Sequence, residues 1–360
     1  MNIDLSIKKP IVYIDKSHFD FSFNQYVFEI LKANFFNDLT IEERQTKHFD
    51  LVNIYTFTDK IEEADFAMLP MAWNYYIENN KVNLAQEFIN YCKSKNKKIA
   101  TYIAYDYGVT PTVKDIYIFR QSGYASKRLI HQYSCPFFLN DQLKRRYKTE
   151  SIFIREKMES PLVGFCGQAN ISFAHNMWHL FNIMINNFKY YTHLKRWEPQ
   201  TLYPPVLRRE KVIDILEKSN LIKTNFIKRK AYRGGANNAE TKEKTTKEYY
   251  ENLINSDYIL CIRGGGNFSV RLFETMMVGR IPLFINTDCI LPFDNIIDWK
   301  KHVVWVEEKD MRFAPQILND FHNEIHPDDF IQLQLDNRNI WVNHLSNKGI
   351  FENIARTLMN

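Results

Sequence analysis

Glycine is scarce in this chain, 11 of 360 residues, and no segment approaches the roughly 20 consecutive apolar residues of a membrane span. The five cysteines, Cys92, Cys135, Cys166, Cys261 and Cys289, show no paired spacing. That excludes a disulfide scaffold and fits reduced thiols in a core. The opening "MNIDLSIKKPIVYID" has no apolar stretch long enough for a secretion signal. Neither the G-x-G-x-x-G dinucleotide fingerprint nor a phosphate loop ending in Gly-Lys-Ser/Thr occurs, so hydride and phosphoryl transfer lose support. Together these absences lead us to expect a soluble, cytoplasmic protein, free or resting peripherally on the inner face of a membrane.

What is present begins with length. Single cores stop growing near about 250–300 residues, so 360 residues point to two domains. The excess of 47 basic over 42 acidic residues, net +5, gathers in "LKRRYK" (143–148) and "IKRKAYRGG" (227–235). Such stretches are usually solvated faces, and they also suit phosphate-bearing ligands, anionic membranes or nucleic acid. In the first half, apolar runs at 11–15, 51–57, 65–71, 98–106 and 116–120 alternate with helical patterns at 23–36 and 83–98. Strand–helix alternation predicts a parallel sheet covered by helices. The charged stretch around residue 150 reads as a linker, which sets domains at 1–155 and 156–335, followed by a C-terminal helix over 336–360 packing back on the first domain.

The second half opens with the strand "PLVGFCGQAN" (161–170), then a helix near "RREKVIDILEKSN" and a basic, polar loop holding Gly234 and Gly235. "TTKEYYENLINSD" predicts a helix opened by a capping box of Thr245 and Glu248. Next comes "CIRGGGNFSVRLFETMMVGRIPLFIN" (261–286): a strand, three glycines, a helix from about Ser269 to Val278, the stop residue Gly279 and a second strand. Glycines that admit a ligand to the backbone, a helix N-terminus at Ser269, and Arg263 and Arg271 beside it describe a phosphate or diphosphate site. Glu274 falls inside the apolar arc of that helix, between Val270 and Val278. An unpaired buried carboxylate is costly. Two partners fit: an ion pair with Arg271 three residues earlier, or the vicinal hydroxyls of a ribose.

The segment "NSDYILCIRGGGNFSVRLFETMMVGRIPLFINTDCILPFDNIIDW" resembles the C-terminal signature of exostosin-like glycosyltransferases, family 47. Cys261, Arg263, Gly264, Ser269, Arg271, Glu274, Gly279, Pro282, Leu291, Pro292, Phe293, Asp298 and Trp299 carry the match. "EEADFAMLPMAW", "YIAYDYG" and "VGFCGQAN" followed by Arg208 and Arg209 are similar to earlier parts of the family's pattern. Thr275 stands where that pattern has alanine, and residues 171–200 read as an insertion. The resemblance implies an α/β, GT-B architecture: two Rossmann-like domains whose parallel sheets face an interdomain cleft. It also implies a nucleotide-sugar donor in the C-terminal domain, an acceptor in the N-terminal one, and inversion at the anomeric carbon.

The chain contains no Asp-x-Asp, the metal-chelating motif of the other large glycosyltransferase architecture. Leaving-group charge then falls to arginines and a helix N-terminus, with no essential metal and no cofactor beyond the donor, a UDP-sugar. The donor site is assigned to Arg263, Gly264, Gly265, Gly266, Asn267, Ser269, Arg271 and Glu274, with Gly167, Arg208 and Arg209 beside them. Inversion needs a general base. Asp106, at the end of an apolar strand, is the first candidate, with His131 and Asp141 behind it and a capping or surface role open for each. The partners expected are the donor and a saccharide or lipid-linked acceptor, not nucleic acid. A nucleic-acid binder using the basic stretches, or an inactive sugar-nucleotide-binding relative, are the alternatives.

Overall fold

A computed structural model describes residues 9–35, 51–52, 54–109, 111, 113–169, 173–202 and 204–360. The start of the N-terminal stretch and the end of the helical pattern at residue 36 lie outside the described residues, as do Ile171 and Ser172 of the inserted segment. Two compact units emerge: Met1–Asn140 with Ile290–Phe293 and Asn343–Asn360, and Asp141–Cys289 with Asp294–Val342. The division thus falls after Asn140 instead of near 155, and the second crossing after Val342 instead of 335. The reason is that the stretch read as a linker is bonded into the second unit. Arg155 pairs with buried Asp257 at 2.5 Å and its amide donates to Gln334 Oε1 at 3.0 Å, while Arg280 holds the Phe153 carbonyl.

In the first unit β1 (Ile11–Tyr13), α1 (Glu29–Phe35), β2 (Thr56–Thr58), β3 (Phe66–Met68), α2 (Trp73–Glu78), α3 (Val82–Ser94), β4 (Ile99–Ile103), β5 (Tyr117–Arg120) and β6 (Gln132–Ser134) follow one another. All strand pairs are parallel, in the order β2-β1-β3-β4-β5-β6. Every residue of β3 and β4 is buried, as expected of strands covered on both faces. α3 supplies Ala85, Phe88, Ile89 and Cys92 at helical spacing. The C-terminal helix Asn347–Met359 belongs here: the Phe351 ring lies 5.1 Å from that of Phe28, and Tyr55 donates to the Phe351 carbonyl at 2.5 Å.

The second unit runs β7 (Leu162–Gln168), α4 (Phe173–Tyr191), α5 (Pro205–Glu217), β8 (Lys223–Arg229), α6 (Ala239–Ile254), β9 (Tyr258–Cys261), α7 (Val270–Met277), β10 (Ile281–Asn286), β11 (Val304–Glu307), α8 (Ala314–Glu324) and α9 (Pro327–Ile340). Its sheet is also parallel, in the order β11-β10-β9-β7-β8. Val163, Phe165, Leu260, Leu283 and Val306 meet Val212 and Leu216 of α5, Leu318 of α8 and Phe330 of α9 in one core. Much of the basic loop expected before α6 is β8, an edge strand paired with β7 over seven residues. Its lysines and arginine are what an edge strand carries, and they hid its strand character.

The capping box of α6 is Asn238 with Thr241, so the helix starts before Thr245, whose hydroxyl instead bonds back to the Thr241 carbonyl at 2.8 Å. All five cysteines are free and buried. Gly279 ends α7 with φ +68°, and a Cβ there would sit 2.7 Å from Ile152 Cδ1 and 3.0 Å from the Gln334 carbonyl. Gly279→Ala is therefore expected to cost at least about 2 kcal/mol, through left-handed strain plus overlap. A lowered denaturation midpoint with an unchanged m-value checks it.

Candidate donor site

In open parallel sheets ligands gather beyond the carboxyl ends of the strands where the winding direction reverses. In the second unit β8 lies on one side of β7 and β9, β10 and β11 on the other, so the reversal falls between β7 and β9. Gly167 and Gln168 end β7, and the glycine run leaves β9. Gly167 and Gln168 lie within the strand itself, and the glycine run forms the loop.

Arg271, in the first turn of α7, spans this point. Its Nη2 donates to the Cys166 carbonyl at 3.0 Å, and its guanidinium lies 4.4 Å from the centroid of the Phe165 ring. Arg209 of α5 arrives from the other side and donates to the Gln168 carbonyl at 2.7 Å. Burial, and then the charge of Arg271, push Arg209 down to about 10. Among the described residues no carboxylate lies within ion-pair distance of either arginine, and the Nε of each is buried without a hydrogen-bond partner. Arg208, its neighbour, pairs with Glu308. Four other arginines of the unit are paired, Arg155 with Asp257, Arg338 with Asp141, Arg146 with Glu243 and Arg229 with Glu248, and the fully buried Arg280 is instead surrounded by the carbonyls of Ile254, Gly279 and Phe153 and by Gln334 Oε1. Two like charges held together without a counter-charge make this a candidate site for an anion.

Ser269 occupies the N-cap of α7, yet its hydroxyl makes no cap bond although the residue is buried. Ser269 thus holds the N-cap position without the side-chain bond, and the first-turn amides lack that acceptor. None of Gly264, Gly265 and Gly266 has positive φ. A Cβ on Gly264 would meet nothing within 4 Å, so neither backbone conformation nor protein packing demands a glycine there; its amide closes the turn onto the Phe268 carbonyl at 3.0 Å. Gly265 is exposed and Gly266 buried. Asn267 is engaged internally, donating to the Asp288 carbonyl at 3.1 Å and accepting from Thr287 at 2.8 Å. Arg263 is buried and donates to Gln200 Oε1 and the Gly265 carbonyl, both at 3.3 Å.

Glu274 is partnered, though not by Arg271. Tyr249 and Tyr250 of α6 donate to its two oxygens at 2.5 and 3.1 Å. Burial and the Glu274 charge hold both phenols far above their usual range, so they remain donors. A carboxylate accepts at about four positions, so two remain for a ligand. Sequence reasoning missed this pair; its only trace was two adjacent tyrosines in a helix one strand away from the glutamate. Thr275 is buried with its hydroxyl on the Arg271 carbonyl at 2.6 Å.

Gly167 has its own steric role. A Cβ there would stand 2.8 Å from Arg271 Nη2. Gly167→Ala should move the guanidinium end without disturbing the sheet. Donor affinity is expected to fall while the denaturation midpoint stays put; isothermal titration beside denaturation checks both.

Among the base candidates, Asp106 follows β4 on the carboxyl edge of the first unit's sheet, exposed at its surface but with enough protein around it to push its carboxyl up by desolvation. His131 precedes β6, on the amino edge of the same parallel sheet, stacked on Tyr117 at 4.4 Å. Asp141 pairs with Arg338 at 2.6 Å and accepts from the Leu143 amide at 3.0 Å, a structural role. Among the described residues no group of three or more His, Cys, Asp or Glu is placed to hold a metal ion.

A sequence model of the Exostosin GT47 domain matches residues 26–321. The chain belongs to the exostosin GT47 family. Its two parallel α/β units are the pair of Rossmann-like folds expected of that family's GT-B class. The exostosin GT47 chain is 40% identical over 76 residues to "Probable glucuronosyltransferase 47 A" of Physcomitrium patens, covering 21% of this chain and 17% of the relative. It is 36% identical over 85 residues to "Probable beta-1,4-xylosyltransferase IRX10L" of Arabidopsis thaliana, covering 24% and 20%. These alignments thus span no more than a fifth of either relative. Among solved structures, TarM aligns at 10% identity with a TM-score of 0.34, over 74% of this chain and 51% of TarM.

Proposed function

We propose that the chain transfers a sugar from a nucleoside-diphosphate donor, UDP-linked, to a saccharide or lipid-linked saccharide acceptor, with inversion at the anomeric carbon. One observation supports this beyond family membership: Arg209 and Arg271 converge on the winding reversal of the second unit, and among the described residues no carboxylate lies within ion-pair distance of either. A diphosphate there would meet two guanidinium groups, the Ser269 hydroxyl and the first amides of α7. Glu274, fixed by Tyr249 and Tyr250, would accept from the ribose hydroxyls. Asp106 would take the proton of the acceptor hydroxyl as that oxygen attacks the anomeric carbon. The bond to the diphosphate oxygen then breaks, and its electron pair leaves with UDP, stabilised by the arginines without a metal ion.

Thermal shift with a panel of nucleoside diphosphates and their sugars, beside donor hydrolysis and transfer assays, tests this. UDP at about a hundredfold above its Kd should stabilise the protein by about 2.7 kcal/mol. Glu274→Ala should lose that stabilisation, whereas Asp106→Asn should keep it and lose transfer. Equal stabilisation of wild type and Glu274→Ala would sink the ribose role, and indifference to every nucleotide would sink the donor site.

A further inference from the structure

α4, from the segment read as an insertion, turns a large apolar stripe outward. Met177, Phe181, Met184, Phe188 and Tyr191 are between 48% and 68% exposed. At about 100° per residue they fall within about 80° of one another, while Ile183, on the opposite side, is buried. Leu194 extends the stripe past the helix end. A helix of 19 residues is about 28 Å long. Soluble surfaces rarely carry so continuous an apolar band without a function.

Charge identifies what covers it. Between residues 171 and 197 there is no Asp or Glu, while Lys189, Lys195 and Arg196 cluster at the C-terminal end of the helix. Lys195 and Arg196 are exposed. A second copy of this helix would bring no acid to those cations. A lipid surface with anionic headgroups supplies both complements: acyl chains for the aromatic and methionine stripe, negative charge for the basic end. We infer that α4 is an interfacial helix by which the protein lies on an anionic lipid bilayer, without crossing it; no described helix is long and apolar enough to cross a membrane. This would bring the second unit to the plane in which a lipid-linked acceptor resides, and it stands independently of the donor site.

Co-sedimentation of the full chain with vesicles of phosphatidylcholine alone, or mixed with phosphatidylglycerol, tests the proposal. Sedimentation velocity without lipid runs beside it. The wild type should pellet with the mixed vesicles, less so at raised salt, and remain in solution with phosphatidylcholine alone. Phe181→Ser combined with Phe188→Ser, and separately Lys195→Glu combined with Arg196→Glu, should each weaken vesicle binding at least about tenfold with unchanged thermal unfolding and UDP binding. A wild type that ignores mixed vesicles, variants that bind as well as wild type, or a lipid-free dimer dissolved by the serine variant would each overturn it.

Discussion

Arg271→Lys and Arg209→Met should each weaken UDP binding about ten- to a hundredfold while leaving uridine binding nearly unchanged. A hydrogen bond to a charged group contributes about 1.5–3 kcal/mol, and about 1.4 kcal/mol is a factor of ten. Lysine keeps the charge of Arg271 but loses the planar fork that can hold the Cys166 carbonyl and a phosphate oxygen together. The Arg209 substitution has a second expected effect of opposite sign. In the free protein this guanidinium is desolvated and faces the charge of Arg271, which holds its pKa down at about 10. Removing it relieves repulsion, so the unliganded variant should unfold at the same temperature as wild type or higher, as binding sites traded against stability do. Calorimetric titration with UDP and with uridine, beside unliganded melting curves, reads all of this. Equal losses for uridine and UDP would place the arginines away from the diphosphate.

That pair shows how far the sequence could be read. Arg271 and Glu274 were legible because a glycine turn, a helix start and a carboxylate in an apolar arc sit within one short segment. Arg208 and Arg209 were not separable, since adjacent helix residues point about 100° apart and only the packing of α5 decides which one meets β7 and which meets Glu308. The βαβ unit β9–α7–β10 followed from local signals. β6 and β8 did not: β6, Gln132–Ser134, carries no aliphatic residue, and β8 is an edge strand rich in charge. Without β6, the sequence held nothing to place His131 on the amino edge of its sheet. The Tyr249 and Tyr250 bonds to Glu274 join helices about 25 residues apart in sequence, and no periodicity encodes such a meeting.

Acidification should destabilise the protein well before its carboxylates titrate. His18, His302, His322 and His344 are all held below the usual histidine value, in each case first by burial. Nearby charges and bonds do not reverse the direction: Asp15 and Glu87 act against it at His18, and Asn337 with Asp336 and Asp298 at His302. At His322 the Met158 carbonyl opposes, and at His344 the Asn353 side chain. His322 is fully buried, bonded to Tyr258 at 2.9 Å and to the Met158 carbonyl at 2.7 Å. Because the folded pKa values lie below the unfolded one, the unfolded chain binds more protons as pH falls. Stability is therefore full above about pH 7.5 and declines below about 6.5, by up to about 1.4 kcal/mol per pH unit for each histidine. Urea midpoints measured from pH 8 down to pH 5.5 should be flat at first and then fall, about pH 6.5 marking the turn. His322→Gln, whose amide can accept from Tyr258 and donate to Met158, should flatten part of that decline. A midpoint constant across the whole range would contradict four imidazoles that the fold holds neutral, two of them, His18 and His322, buried.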